Sequence, residues 1–257
     1  MSAPIDPAAR LIAHRGNAYE FPENTLPALQ SALELGVRHI EFDVHLSADE
    51  IPVVMHDDRL NRCAGLDLDA LAMNWEELQT VSVHEPSRLG DRFAGTPIPT
   101  LASALALLRH FPQAMAFVEL KRASLRRFGT ETMVRQVCEQ LRTVADQVVA
   151  ISFDLEAVMQ IRQASALRIG WVLTDYSFAA QERAETSCPE FLFCNQDKLP
   201  NNASLLWQGS WDWVIYEVTN RDEASQLISR GVHLLESMQI RKLLHDLQTT
   251  PPTQLSN

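Results

Sequence analysis

Two carboxylates alternate with apolar side chains in residues 40–44, which read Ile-Glu-Phe-Asp-Val. A buried parallel strand is normally apolar on both faces, so Glu41 and Asp43 interrupt the pattern and point to the same side. The alternation recurs in a later apolar run, where Glu119 and Lys121 share one face. Buried anions repel one another unless a cation holds them. We therefore predict a cation site at Glu41, Asp43 and Glu119.

These three carboxylates offer only oxygen ligands, since no cysteine accompanies them in either run. Oxygen donors suit a hard cation, and we expect one divalent ion, Mg²⁺ or Ca²⁺, although carboxylate count alone does not separate these from Mn²⁺. The alternative is that the acids form structural salt bridges with lysines or arginines. Salt bridges can account for a single inward carboxylate. They account less well for three together, because each buried charge that lacks compensation is costly.

Two histidines, His14 and His56, each end a short apolar run in the same half of the sequence. A pair of imidazoles beside a cation can move protons in both directions, one accepting from a nucleophile and the other donating to a leaving oxygen. Arg15 and Lys121 add fixed positive charge. Cations that neutralise phosphate oxygens, together with histidines that handle protons, predict a site for a phosphodiester.

His39 and His45 border the strand candidate that carries Glu41 and Asp43. Because side chains alternate between the two faces of a strand, both imidazoles would lie on the same face as Glu41 and Asp43. Each lies at an end of the run, so we expect solvent exposure and leave both outside the catalytic set.

Short apolar, β-branched or aromatic runs recur along the chain, and most are separated by stretches with helical periodicity. Eight strand–helix units in about 250 residues are typical of an α/β fold of the (β/α)8 TIM-barrel type, with a doubly wound open sheet as the alternative. The open sheet usually carries a glycine-rich first turn, which this chain lacks. The predicted strands are 11–13, 39–44, 117–120, 148–153, 168–173, 191–194, 213–218 and 232–235.

One interval is too long for a single unit, because about seventy residues separate the second and third of these strands. We predict a small insertion after the second strand, at approximately 57–100, preceded by an extension at 51–56 that pairs with the end of that strand. Loops at the carboxyl ends of barrel strands form active sites, so the insertion is expected to cover one. No linker divides the sequence, and we expect a single domain over 1–257.

The composition excludes several classes of partner. With 22 basic and 33 acidic residues, the net charge of −11 argues against nucleic acid and anionic membranes. No apolar run is long enough for stable membrane insertion, and the first residues lack the pattern of a secretory signal, so we predict a cytoplasmic protein. Four dispersed cysteines indicate neither a disulfide framework nor a zinc site. A small soluble substrate remains, and nothing indicates an oligomeric state.

The order and spacing of six motifs resemble those of the glycerophosphodiester phosphodiesterases. The match is specific in the first half of the chain. In the second half it rests on the alternation of predicted strands and helices. The motifs are His14-Arg15-Gly16, Pro22-Glu23-Asn24-Thr25, Ile40-Glu41-Phe42-Asp43-Val44, His56-Asp57, Ile98-Pro99-Thr100-Leu101 and Glu119-Leu120-Lys121.

This resemblance implies a (β/α)8 barrel that hydrolyses glycerophosphodiesters to glycerol 3-phosphate and an alcohol with a divalent cation. Under it, His14 resembles the proton acceptor and His56 the proton donor. The remaining roles are metal ligands at Glu41, Asp43 and Glu119, phosphate contacts at Arg15 and Lys121, and support from Glu23 and Asn24, with Asn24 also expected to cap the following helix.

Two late dipeptides depart from the family pattern. Tyr216-Glu217 replaces the usual Trp-Thr, and Glu236-Ser237 stands where Thr-Asp is common. These changes affect substrate preference more than reaction class, and Tyr216 is either a packing aromatic or a contact for a choline ammonium. Two other functions stay open: a phospholipase-type phosphodiesterase acting on intact lipid, and a non-catalytic metal-binding barrel.

Overall fold

The computed structural model describes residues 6–201 and 205–249, and within them nine strands form one sheet. Eight of these strands are parallel, and the pairing of β1 with both β2 and β9 closes them into a barrel. The strands are β1 (Leu11–Ala13), β2 (His39–Leu46), β3 (Pro52–Val54), β4 (Met115–Leu120), β5 (Val148–Ser152), β6 (Arg168–Val172), β7 (Phe191–Asn195), β8 (Asp212–Tyr216) and β9 (Leu234–Ser237). The predicted (β/α)8 barrel is confirmed.

In the described residues an α-helix follows each barrel strand except β7, which is followed by a 3-10 turn. The side chain just before a helix often satisfies one of its free backbone N–H groups. Thr25, Thr100, Asp154, Ser177 and Asn220 each accept from the third residue of the helix that they cap. The helices are α1 (Leu26–Glu34), α2 (Asn61–Ala64), α3 (Trp75–Leu78), α4 (Pro86–Leu89), α5 (Leu101–Leu108), α6 (Arg122–Phe128), α7 (Thr130–Leu141), α8 (Leu155–Ala164), α9 (Phe178–Ser187), α10 (Arg221–Ser229) and α11 (Ile240–Thr249), with 3-10 turns at Pro7–Ala9, Ala70–Ala72, Gly90–Phe93, Arg142–Gln147 and Gln196–Lys198.

The two faces of each barrel strand supply two separate apolar clusters. Outward side chains such as Phe42 and Val118 pack against the helices. Inward side chains fill the barrel, where Phe117 lies edge-on to Phe191 and Phe193 at ring distances of 5.0 and 5.3 Å. Side chains alternate along a strand, so the next inward residues after this cluster lie at the carboxyl ends of the strands, where the barrel opens.

The extension predicted after the second strand is β3, which pairs antiparallel with β2 in the register Val44 to Val54. The polar segment that follows contains α2, α3 and α4 and has its own apolar cluster, which includes Leu60, Leu78 and Ile98. This third cluster holds the insertion together separately from the barrel interior. Within the described residues, none of the helices has both the length and the apolar character to cross a membrane.

His39, at the start of β2, provides a test of the fold through pH. Its burial lowers the pKa of the imidazole from 6.5 to about 4. A lowered histidine pKa favours folding above pH 6.5, and that contribution disappears as pH falls through 4. After allowance for partial exposure, we expect wild type to lose about 2 kcal/mol more unfolding free energy than His39→Gln between pH 7 and pH 4. Urea titrations at both pH values measure this difference, and equal losses in the two proteins would contradict it.

Candidate active site

Register between β2 and β4 brings the three predicted cation ligands together. Asp43 pairs directly with Glu119, and Glu41 lies one inward position deeper in the barrel on the same face of β2. One oxygen from each carboxylate lies within 4.8 Å of the others, and all three side chains are buried. The described structure also leaves Glu41 Oε1 buried without a hydrogen-bond partner. A divalent cation fits this set, because it would supply the missing partner and the missing charge.

Two cationic side chains approach the same carboxylates. Lys121 Nζ lies 3.1 Å from Asp43 Oδ1 and 3.0 Å from Glu119 Oε1, while Arg15 Nε lies 3.3 Å from Asp43 Oδ2. Burial alone would raise the pKa of Asp43, but Lys121 and Arg15 outweigh it and hold that pKa well below its usual range. For Glu41, burial and the neighbouring carboxylate of Asp43 raise the pKa well above its ordinary value. Charge compensation is therefore concentrated on Asp43 and is poor at Glu41.

The turn after β1 holds its residues in an uncommon backbone conformation. Arg15 has φ +57° and Gly16 has φ +80°, both in the left-handed region. A Cβ on Gly16 would lie 2.6 Å from the backbone carbon of Ala28, so only glycine fits there. This geometry lets the backbone N–H of Arg15 donate to Glu41 Oε2 at 3.1 Å.

Asn24 supports Asp43 through two reciprocal hydrogen bonds. Asn24 Nδ2 donates to Asp43 Oδ2 at 2.8 Å, and the backbone N–H of Asp43 donates to Asn24 Oδ1 at 3.0 Å. The prediction that Asn24 caps the first helix is wrong, because Thr25 is the N-cap of α1. The amide of Asn24 is already engaged with β2, and its own backbone has φ +57°.

His14 faces the carboxylates at the end of β1. Its Nδ1 lies 2.7 Å from Glu217 Oε2, and its Nε2 lies 3.9 Å from Glu41 Oε2. Because an ionised carboxylate only accepts, Nδ1 carries the proton and Nε2 keeps a lone pair directed at the site. Burial by itself lowers the pKa of His14, but the charge of Glu236 and the hydrogen bond to Glu217 raise it above 6.5 overall. This arrangement suits proton acceptance at Nε2.

His56 lies at the exit of β3, where the insertion begins. Its Nδ1 donates to Asp57 Oδ1 at 2.6 Å, and Arg62 Nε donates to Asp57 Oδ2 at 2.7 Å. His45 Nε2 donates to the backbone oxygen of His56 at 3.0 Å, and Ser124 Oγ lies 2.7 Å from His45 Nδ1. The ring and the backbone of His56 are therefore both fixed, with Nε2 free for proton transfer.

Glu23 joins the barrel to the insertion. It accepts from Arg15 Nη1 at 2.9 Å and from both terminal nitrogens of Arg62, at 2.6 and 2.8 Å. The backbone N–H of Glu23 donates to Glu85, which also pairs with Arg88. The loop after β1 and the segment that carries His56 are thus held by one ionic network.

Three residues of the site were missed by the sequence reasoning. His45 was expected to be exposed, yet only 1% of its surface is accessible, so that expectation is wrong. Glu217 and Glu236 were noted only as departures from a family pattern. Glu217 holds His14, while Glu236 is buried beside His14 and Glu41 with its Oε1 unpartnered. The signal for both acids was their position at the ends of predicted strands.

The site opens into a cavity of about 210 Å³ at the mouth of the barrel. One wall is polar and includes His14, Arg15, His56 and Lys121. The opposite wall is apolar and aromatic: Ile151, Phe153, Val172, Phe193 and Tyr216. All nine residues predicted for the site lie within one network of contacts around this cavity.

A closed (β/α)8 barrel with clustered carboxylates, fixed cations and two oriented histidines at the carboxyl ends of its strands has the architecture of a barrel phosphodiesterase. Comparison with known families agrees: residues 14–235 match the profile of the glycerophosphoryl diester phosphodiesterase family. The chain belongs to this family.

Named relatives are about 30% identical to this chain within aligned segments that cover only part of each protein. Human glycerophosphodiester phosphodiesterase 1 is 31% identical over 153 residues, which cover 59% of this chain and 45% of the human protein. A glycerophosphodiester phosphodiesterase of Caldanaerobacter subterraneus is 29% identical over 161 residues, 62% of this chain and 65% of that protein. The match to the mammalian relatives thus spans less than half of their length.

Solved structures match over nearly the whole chain at lower identity, and they support the fold. An Oleispira antarctica phosphodiesterase in complex with the product sn-glycerol-3-phosphate superposes with a TM-score of 0.80 at 24% identity, covering 93% of this chain and 97% of that one. A glycerophosphodiester phosphodiesterase from Thermotoga maritima gives a TM-score of 0.70 at 20% identity, covering 93% and 98%.

Proposed function

We propose that this protein hydrolyses small glycerophosphodiesters to glycerol 3-phosphate and an alcohol. The observation that carries the proposal is the arrangement around one cavity: three buried carboxylates, two fixed cations, and two histidines whose Nδ1 atoms are each held by a carboxylate. Family membership and the product bound to the Oleispira antarctica relative support the same substrate class.

One divalent cation, Mg²⁺ or Ca²⁺, would be held by Glu41, Asp43 and Glu119. When bound, it supplies positive charge to the phosphate oxygens as negative charge develops on them. The guanidinium of Arg15 and the ammonium of Lys121 face the same position and bind the nonbridging oxygens. Their pairing with Asp43 keeps both groups fixed before the substrate arrives.

His14 and His56 move the protons. The lone pair on His14 Nε2 accepts the proton of the attacking oxygen as that oxygen bonds to phosphorus, and Glu217 stabilises the resulting imidazolium through Nδ1. The attacking oxygen is either water, which gives glycerol 3-phosphate directly, or the glycerol 2-hydroxyl, which gives a cyclic phosphate that water then opens. On the leaving side, His56 Nε2 donates a proton to the alcohol oxygen as its bond to phosphorus breaks. Asp57 orients the ring of His56 through Nδ1, and Arg62 holds Asp57 in place.

Glycerol 3-phosphate release from choline, ethanolamine, glycerol and inositol diesters, with and without Mg²⁺ or Ca²⁺, tests this proposal. We expect release with a cation present and a loss of at least about 100-fold in excess EDTA, restored when the cation is returned. Unchanged turnover in EDTA would assign the carboxylates a structural role. Turnover of intact phospholipid but not of the deacylated diesters would favour the phospholipase-type alternative. A cytoplasmic location stays a prediction.

A further inference from the structure

Glu236 has no assigned role in the proposed reaction, yet it is among the most deeply placed charges of the barrel. It lies on β9 in register with Ile12 of β1, and 3% of its surface is accessible. Its Oε1 is buried without a hydrogen-bond partner. A carboxylate in such a place is costly unless something compensates its charge.

Ligand atoms of His14 and Glu41 lie close to the carboxylate of Glu236. One atom from each of the three residues lies within 4.8 Å of the other two. Glu41 therefore belongs to two clusters, because it is also grouped with Asp43 and Glu119. A carboxylate has two oxygens, so one side chain can bridge two cations held about 3.5–4 Å apart.

We propose that Glu236, Glu41 and His14 Nε2 form a second divalent-cation site, bridged by Glu41 to the site at Asp43 and Glu119. The inference rests on the proposed function for that first site. Two carboxylate oxygens and one imidazole nitrogen suit a transition-metal dication such as Mn²⁺ better than Ca²⁺.

Two further observations support this site. Glu217 holds His14 Nδ1, and a carboxylate on the distal nitrogen is the usual partner of a metal-bound imidazole. Charge points the same way: among the described residues, the permanently cationic partners of Glu41, Asp43, Glu119, Glu217 and Glu236 in ion pairs are Arg15 and Lys121. When these carboxyls are ionised, one divalent cation leaves the group negative, so attraction for another persists.

The two roles of His14 exclude each other. An Nε2 that holds a cation has no lone pair for the proton of a nucleophile. Filling of the second site therefore converts His14 from proton acceptor to ligand. We expect hydrolysis to rise as the first site fills with Mn²⁺ and to fall as the second fills.

Equilibrium dialysis of the metal-free protein against Mn²⁺, with electron paramagnetic resonance of the bound ions, tests the site without substrate. We expect two Mn²⁺ per wild-type chain with an exchange-coupled signal from the bridged pair. Glu236→Thr and Glu236→Gln each should bind one Mn²⁺ with an uncoupled signal. Glu139→Gln, on the exposed face of α7, is the matched control and should bind two.

Each contrary result has a distinct meaning. One Mn²⁺ per wild-type chain, or two in Glu236→Thr, would overturn the second site while leaving the proposed hydrolysis intact. If wild type binds two coupled ions but releases no glycerol 3-phosphate, the site stands and the proposed function fails. In the activity titration, the fall at high Mn²⁺ should disappear in Glu236→Thr, and a fall of equal size in that variant would contradict the exclusive roles of His14.

Discussion

Replacing His56 by Gln is expected to lower glycerol 3-phosphate release from glycerophosphocholine by about 10³-fold, because the choline alkoxide then leaves without a proton. The same variant should retain activity within about tenfold on a glycerophosphodiester of p-nitrophenol, whose oxyanion leaves without protonation. Steady-state kinetics on the two substrates measure the difference. The structural basis is the pair of hydrogen bonds from His56 to Asp57 and from Arg62 to Asp57. They orient the imidazole of His56 as a proton donor to the leaving group.

His14→Gln is the comparison that separates the two histidines. A missing proton acceptor slows attack on every substrate, so both diesters should lose about 10²-fold or more. His110→Gln, which changes an exposed residue after α5, serves as the control and should match wild type. Equal losses on both substrates in His56→Gln would remove its assignment as proton donor.

Glu41→Gln should make the metal-free protein more stable while abolishing its activity. Glu41 is buried, and burial and the charge of Asp43 raise the pKa of its carboxyl. Removing a buried charge that lacks compensation is expected to increase the free energy of unfolding by about 1–3 kcal/mol in EDTA. Turnover with cation should fall at least about 10³-fold, because the variant loses one of the proposed cation ligands.

Urea unfolding with EDTA and with excess Mn²⁺ provides the measurement for Glu41→Gln. Wild type should gain stability from the cation, whereas the variant should gain little. Glu139→Gln should follow wild type in both conditions. A variant less stable than wild type in EDTA would show that the hydrogen bond from the N–H of Arg15 outweighs the charge of Glu41.

Strand parity explains why so much of the site could be predicted. Side chains alternate strictly along β2 and β4, so the positions of Glu41, Asp43 and Glu119 follow from the sequence once the strands are recognised. His45 was missed because the strand was predicted to end at Val44. The structure continues β2 to Leu46, since β3 pairs with its end and buries the imidazole.

Glu217 and Glu236 could not be assigned for a different reason. Each follows a short apolar run, and a single acid at the end of a strand does not differ in sequence from a solvated loop residue. Only barrel closure places β9 next to β1, which brings Glu236 and His14 together across more than 200 positions of chain. The N-cap of α1 could not be predicted for a similar reason. Asn and Thr both cap helices well, and only the hydrogen bond of Asn24 to Asp43 shows that Thr25 is the cap.

The separate apolar cluster of the insertion divides the candidate active site between two parts of the chain. His56 and Asp57 belong to a contiguous stretch of chain that packs on itself around Leu60 and Leu78, whereas His14 depends on closure of the barrel. In the proposed reaction, the side that releases the alcohol is therefore held by one continuous segment. The side proposed to hold glycerol 3-phosphate depends on barrel closure instead, so substitutions in the insertion should act mainly on alcohol release.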